Sequence, residues 1–275
     1  MKIEFVKMHG CGNDYIYIDC FKQKITDFEK LAVEMSDRHF GIGGDGIVCI
    51  LPSDCADVRM RMFNADGSEG KMCGNAIRCV GKYVYDNNIV RKSMIAVETQ
   101  SGIKALKLTV INDVCVGAQV SMGKAVFTPK KIPVLSDSNF INLFCCNTTA
   151  VSMGNPHCVI FREGVMDMDI KPLALDIQNC GIFPEGVNVE FCEITKEGKV
   201  NLRVYERGSG ETLACGTGAC ATVAAAVING LLPAEKDISV NLRGGELKIR
   251  CGKGYEMLMT GPATLVFEGT YEYKD

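Results

Sequence analysis

The chain repeats itself. Slid along itself by 142 residues (215 − 73 = 142), so that Cys215 falls on Cys73, it places Glu211 on Glu69, Gly216 on Gly74 and Asn229-Gly230 on Asn87-Asn88. Val200, Leu202 and Val204 fall on Val58, Met60 and Met62, with Arg203 on Arg61. In the same ungapped register Gly154-Asn155 meets Gly12-Asn13 and Gly186 meets Gly44, while Ile170, Leu173, Ala174 and Ile177 meet Phe28, Leu31, Ala32 and Met35. So many coincidences in one register mark an internal duplication, two copies of one mixed strand–helix unit with a cysteine at a helix start in each. Duplicated halves pack about a pseudo-twofold axis, which would set Cys73 and Cys215 on two sides of one cleft between domains, a favoured place for a ligand pocket.

Each half follows the same local grammar. Residues 3–7 and 15–19 are apolar or alternating around the turn His9-Gly-Cys-Gly-Asn13-Asp14, which predicts a hairpin. Thr26-Asp-Phe-Glu29 matches a capping box, followed by Phe28, Leu31, Ala32 and Met35 at helical spacing. Gly41-Ile-Gly-Gly-Asp-Gly46 then leads into the strand Ile47–Leu51. Val58, Met60 and Met62 alternate with Arg59 and Arg61, and a turn over 64–70 precedes the helix after Cys73, which Asp86-Asn-Asn88 closes. The helix after Cys215 is apolar nearly all the way round, the mark of a buried helix. The expected halves are residues 1–117 with 263–275, and residues 118–262. Whether the last strand, 263–267, returns to the first half is not settled by the sequence.

Composition narrows the function. A formal net charge of −3 and a pI near 5.8 argue against nucleic-acid binding. No apolar run is long enough to span a membrane and Met1-Lys-Ile-Glu-Phe5 reads as a strand rather than a leader, so a cytoplasmic protein is expected. There are fifteen cysteines but only three histidines, and no Cys-x-x-Cys pair occurs. A zinc site or redox dithiol is therefore disfavoured, and most of the thiols should be small buried hydrophobes. Cys79 and Cys220, well inside their helices, keep that packing role. Gly41-x-Gly43-x-x-Gly46 matches a dinucleotide fingerprint in letters only, because it follows a helix and opens a strand.

Two facing thiols suit one class of reaction. Inverting a carbon alpha to a carboxylate needs a base on one face and an acid on the other. A cysteine at a helix N-terminus can have its pKa lowered from about 8.5 into the range of roughly 3.5–7.5. The same helix starts, Gly74-Asn75 and Gly216-Thr217, can hold the carboxylate as charge builds on it.

Lys71-Met-Cys73-Gly-Asn-Ala-Ile-Arg-Cys79 and Tyr205-Glu-Arg-Gly-Ser-Gly-Glu-Thr-Leu-Ala-Cys215-Gly-Thr-Gly-Ala219 resemble the two active-site signatures of the diaminopimelate epimerase family. The same holds for Met8–Asp14, Arg38–Gly43, Phe63–Ser68, Gly154-Asn-Pro-His157 and Gly186-Val-Asn188-Val-Glu190, in order along essentially the whole chain. The resemblance implies an α+β fold of two pseudo-symmetric domains, each a barrel-like sheet wrapped around a central apolar helix, and a homodimer. It implies a cofactor-independent epimerase of LL- and meso-diaminopimelate, on the way to lysine and peptidoglycan. Cys73 and Cys215 would be the acid/base pair. Gly74, Asn75, Gly216 and Thr217 would hold the reacting carboxylate, with Asn13 at the same end. Asn64, Asn155, Asn188 and Arg207 would grip the distal end, Glu206 would take an ammonium group, and His157 and Glu206 would tune the cysteines. Many members carry glutamine where this chain has Gly46, so Gly46 is left out of the site. His9 and His39 are read as structural.

Two rivals remain. Another two-cysteine racemase, such as a proline racemase, would lack the distal set Asn64, Asn188, Glu206 and Arg207. A non-enzymatic thiol or metal-binding protein is suggested by the cysteine count alone.

Overall fold

A computed structural model describes residues 1–273 of the protein. The chain forms two compact units, Met1–Val120 with Gly261–Asp275, and Ser121–Thr260.

In the first unit the elements are β1 (Lys2–Gly10), β2 (Asn13–Asp19), α1 (Phe28–Ser36), β3 (Gly46–Leu51), β4 (Val58–Asn64), β5 (Glu69–Gly70), α2 (Gly74–Asp86), β6 (Met94–Thr99), β7 (Gly102–Ile111) and β8 (Val114–Lys124). The second holds β9 (Phe140–Leu143), β10 (Cys146–Ser152), β11 (Pro156–Phe161), α3 (Lys171–Asn179), β12 (Asn188–Ile194), β13 (Val200–Glu206), β14 (Gly210–Thr212), α4 (Gly216–Ile228), β15 (Asp237–Leu242), β16 (Gly245–Cys251) and β17 (Glu256–Pro262); residues 121–124 of β8 fall in the second unit and 261–262 of β17 in the first. The last strand, β18 (Thr264–Glu272), pairs antiparallel with β1 from Lys2↔Glu272 to His9↔Thr264. The question left open by the sequence is thus answered: the chain returns to its first unit.

The predicted hairpin is β1–β2, with Gly10 opposite Asn13. Its two central residues, Cys11 and Gly12, have φ of 56° and 81°, the left-handed pair of a type I′ turn, whose twist matches the flanking strands. The helix start falls one residue later than the capping box suggests. Asp27, not Thr26, is the cap, accepting the Lys30 N–H at 3.0 Å, because its carboxylate is the better acceptor for an orphan amide.

Within the first unit the strand order is β18-β1-β2-β3-β4-β6-β7-β8, with β2–β3 and β4–β6 parallel. The parallel joints are crossed by α1 and by α2. Strands β1, β2 and β7 all touch α2, so the sheet curls around that helix. On β2 the side chains alternate between two covered faces. Ile16 and Ile18 pack with Leu31 and Met35 of α1, while the Tyr17 hydroxyl reaches the Ala76 carbonyl of α2 at 3.3 Å. The second unit has the same order, β9-β10-β11-β12-β13-β15-β16-β17, parallel at β11–β12 and β13–β15. There α4 touches β10, β11, β12 and β16.

Both enclosed helices run thirteen residues, and both end on a left-handed residue, Asn88 at φ 59° and Gly230 at φ 71°. They differ in content. Residues Gly218–Ala226 of α4 are buried and apolar save Thr222. Helix α2 is equally buried but carries Arg78 and Lys82, so it is not the apolar helix expected for that half. Its cations are tolerated because they are hydrogen-bonded. Arg78, fully buried, donates to the carbonyls of Gly74 at 2.9 Å and Pro262 at 3.1 Å and to Asn75 Oδ1 at 2.9 Å. Lys82 donates to Asp86 and to the Cys115 carbonyl, each at 2.7 Å. Among the described residues no helix is long and apolar enough to cross a membrane.

Candidate active site

Each candidate cysteine is the N-cap residue of its unit's enclosed helix, Cys73 at φ −126°, ψ 123° and Cys215 at φ −122°, ψ 111°. The backbone is extended up to the cysteine and helical after it, so the thiol sits beside the first amides, for which the helix itself has no acceptor. Cys73 Sγ accepts from Ala76 N at 3.5 Å, and Cys215 Sγ from Gly218 N at 3.4 Å.

The approach to each turn is braced in the same way. Arg61 on β4 grips Glu69 on β5 through Nε at 2.7 Å and Nη2 at 2.9 Å. Arg203 on β13 grips Glu211 on β14 through the same atoms at 2.8 and 3.0 Å. A bidentate arginine–carboxylate pair fixes both distance and plane, and here it locks the two-strand turn that delivers the cysteine.

In the first unit Cys73 meets Asn13. The Cys73 thiol donates to Asn13 Oδ1 at 3.3 Å, and Asn13 Nδ2 donates to Asp45 Oδ2 at 2.7 Å. Arg38 holds Asp45 at 2.9 Å and both oxygens of Asp14 at 2.8 and 3.2 Å, and buried Lys7 pairs with Asp14 and the Gly43 carbonyl. Burial works against the Asp14 carboxylate, yet hydrogen bonds from Arg38 and Lys7 hold its pKa below the ordinary value. Asn13 is thus fixed with its oxygen toward the thiol. Gly74 and Asn75 are buried at the first turn of α2, where Arg78 takes the Gly74 carbonyl and Asn75 Oδ1. Asn64 closes β4, opposite Gly46, and donates to Ser68 Oγ at 3.0 Å. The position left out on sequence grounds has a steric character too: a Cβ on Gly46 would lie 2.0 Å from the Phe63 carbonyl oxygen.

In the second unit Cys215 meets a carboxylate. Its thiol donates to Glu206 Oε2 at 3.3 Å and lies 3.5 Å from the Thr217 hydroxyl, while the Thr212 hydroxyl donates to Glu206 Oε1 at 2.5 Å. Gly216 is buried beside it. Asn188, at the start of β12, accepts the Arg207 N–H at 2.9 Å. The Arg207 side chain is exposed and donates to the Glu185 carbonyl. It lies across Gly186, where a Cβ would be 2.5 Å from Arg207 Cδ. His157, fully buried, makes its ring contacts to Glu190 Oε1 at 2.6 Å and Asn155 Oδ1 at 3.1 Å rather than to Cys215.

The expected lowering of thiol pKa at the helix start is not what the structure gives Cys215. Burial raises it well above the ordinary value, and the charges of Glu206 and Glu190 push the same way. The Thr217 hydroxyl and the Gly218 N–H pull it down by less. These surroundings favour the thiol form of Cys215, with a carboxylate placed within reach of its proton. Cys79 and Cys158, pushed up by burial to about 11 and about 12, fit packing.

Sequence reasoning passed over Asp45, Arg38, Thr212 and Glu190. Asp45 is half-exposed and the Arg38 motif was quoted only as a family mark. Glu190 had a usable signal: a carboxylate between Val189 and Phe191 in a strand buried on both faces over its first five residues. Among the described residues no three His, Cys, Asp or Glu are grouped to hold a metal ion.

Comparison with known proteins identifies the family. The sequence profile of diaminopimelate epimerase matches residues 5–128 and 149–266. A diaminopimelate epimerase of Desulfovibrio desulfuricans is 48% identical over 98% of this chain and 98% of its own. One of Methanococcus maripaludis is 49% identical over 97% and 99%, and one of Acetivibrio thermocellus 45% over 99% and 100%. Among solved structures, a probable proline racemase of Agrobacterium radiobacter aligns with TM-score 0.74 at 14% identity, covering 99% of this chain and 93% of that one. A Bacillus anthracis protein of the PhzF phenazine-biosynthesis family also aligns with TM-score 0.74 at 14% identity, covering 99% and 100%. These distant likenesses establish a fold shared by several chemistries. The near-half identity sustained from end to end is narrower, and on it the chain belongs to the diaminopimelate epimerase family.

Proposed function

We propose that the protein interconverts LL- and meso-2,6-diaminopimelate by moving a proton at one alpha carbon between two cysteines, without a cofactor. The observation that carries the reading is the doubled cysteine cap. Cys73 and Cys215 occupy the same place in both units, each with a hydrogen-bond acceptor on its thiol, Asn13 Oδ1 and Glu206 Oε2.

In one direction Cys73, as thiolate, takes the alpha proton while the Cys215 thiol delivers its own to the opposite face. Each turnover leaves the cysteine that delivered its proton as thiolate and the other as thiol, so the roles exchange in the other direction; starting from two thiols, Glu206 accepts the Cys215 proton, and the Cys73 proton is released to solvent. The reaction requires the two sulfurs on opposite sides of one carbon. The first amides of α2 and α4, at Gly74-Asn75 and Gly216-Thr217, would stabilise the carboxylate as carbanion charge spreads onto it. A substrate ammonium beside Glu206 would offset the carboxylate that raises the Cys215 pKa, so binding itself favours the thiolate. Asn64, Asn155, Asn188 and Arg207 would hold the unreacting end, arginine matching a carboxylate in two-pronged fashion.

A cytoplasmic homodimer belongs to the same proposal. Fifteen cysteines outside any disulfide suit a reducing compartment, and exposed Leu265, Val266 and Phe267 on β18 suit burial against a second copy. Sedimentation equilibrium tests the dimer.

Incubation with LL-diaminopimelate in D₂O, with a chelator and without added pyridoxal phosphate, tests the reaction. Deuterium at one alpha carbon and appearance of the meso isomer are expected. A folded, reduced protein that exchanges no proton would sink the assignment, and exchange on proline instead would favour the rival racemase.

A further inference from the structure

Glu190 sits in the middle of β12 with no exposed surface. Its Oε1 is 2.6 Å from His157 Nδ1, and its Oε2 has no hydrogen-bond partner. A Cβ on Gly218 would lie 2.9 Å from Oε1, so the carboxyl is pressed against the first turn of α4, where the missing side chain makes room. The titratable groups around it are His157 and Cys158 from β11, Cys192 from β12, Glu206 from β13 and Cys215 from α4. Of these only His157 can carry a positive charge.

That inventory limits how protons are shared. A carboxylate beside a neutral imidazole would leave an uncompensated negative charge in a dry interior, near a second carboxylate, Glu206, and such a state is costly. Burial, the largest influence, accordingly raises the Glu190 pKa, with the His157 charge opposing. The pair is electroneutral in two ways, as imidazolium with carboxylate or as neutral imidazole with carboxylic acid. An acid proton on Oε2 would have no acceptor, so in both the shared proton lies between Oε1 and Nδ1 and another sits on Nε2. Nε2–H then needs an acceptor, and Asn155 Oδ1 stands 3.1 Å away. The Asn155 amide is thereby oriented: its oxygen is taken by His157, and its Nδ2, on the other side of the amide, is left for another partner. Its repeat counterpart Asn13 is held the other way round, its Nδ2 taken by Asp45 and its oxygen turned to Cys73.

We propose that Glu190 is a positioning residue which, through His157, fixes the Asn155 amide with its N–H donor facing outward for a substrate carboxylate. The two repeat-related asparagines thus present opposite polarity, an acceptor from the first unit and a donor from the second. The ligand end of this inference rests on the epimerase reading; the proton arrangement does not.

Imidazole nitrogen-15 spectra of the whole protein test the arrangement directly, since there are only three histidines and His9→Gln and His39→Gln assign the other two. Both His157 nitrogens are expected protonated or proton-sharing. A bare Nε2 in the wild type overturns the proposal whether or not any variant folds. For turnover, Glu190→Met removes the partner of Nδ1 and is expected to raise KM for LL-diaminopimelate about tenfold, roughly one lost hydrogen bond, and to change kcat by less than KM. Glu190→Gln can donate its amide N–H to Nδ1, keeps Nε2–H, and should stay within about threefold of wild type. Equal damage from both variants, or unchanged KM in Glu190→Met, overturns it. If LL-diaminopimelate does not react while Nε2 is protonated, the reaction assignment fails and the proton arrangement stands.

Discussion

The Cys215 thiol donates to Glu206 Oε2 across 3.3 Å, so the charge that, after burial, most raises the thiol's proton affinity is also the group able to receive its proton. Replacing Glu206 by glutamine separates the two effects. Loss of the charge lowers the Cys215 pKa, and alkylation of the Cys215 peptide by iodoacetamide at pH 8, followed by mass spectrometry, should quicken by roughly three- to tenfold. Epimerisation should fall about a hundredfold for want of the proton acceptor. Slower alkylation would contradict this electrostatic account.

Cys73→Ala and Cys215→Ala should each cut kcat by about 10³. Each also removes an acceptor for a helix-start amide, at a cost of about 1 kcal/mol, so urea unfolding midpoints should move only slightly. A variant that retains turnover would leave no place for a two-thiol mechanism.

Gly46 should not tolerate a side chain. A Cβ there would be 2.0 Å from the Phe63 carbonyl oxygen and 3.0 Å from Asn64 Cα, backbone atoms that move only with β4. Gly46→Gln is expected to destabilise the protein by more than about 2 kcal/mol. Asn64 should shift with β4, raising KM. A neutral effect on the unfolding midpoint would count against the local geometry.

Alkaline pH should loosen the fold. Burial raises Cys79 to about 11 and Cys158 to about 12, and lifts Cys49, Cys192 and Cys215 well above their ordinary value. The native state therefore holds protons that the unfolded chain releases above about pH 8.5. Stability contributed by these thiols is complete below that pH and is lost as pH rises toward 11–12. In reductant, the urea midpoint should drop steadily between pH 8.5 and 11. A flat or rising midpoint would overturn the assignment.

What could be read from the letters was what is local or repeated. The hairpin turn at Cys11-Gly12, the left-handed helix ends at Asn88 and Gly230 and the two capping cysteines each depend on a few adjacent residues. The Thr26 box was off by one because Asp27 offered a competing acceptor. Arg78 and Lys82 concealed the burial of α2, since the carbonyls that satisfy them lie on other segments, at Pro262 and Cys115. The acid strength of Cys215 was misjudged for a similar reason. The helix start is visible in sequence, but Glu206, Glu190 and the dryness around the sulfur are assembled only by folding.

The pairing of β1 with β18 also sets a timetable. The second unit is a single uninterrupted stretch, Ser121–Thr260, and all its strands have left the ribosome before β18 does. The first unit, begun earlier, waits with one edge of β1 unpaired until the final strand arrives. Order of synthesis and order of completion are reversed, and β1 is the segment a chaperone would have reason to shield during that interval.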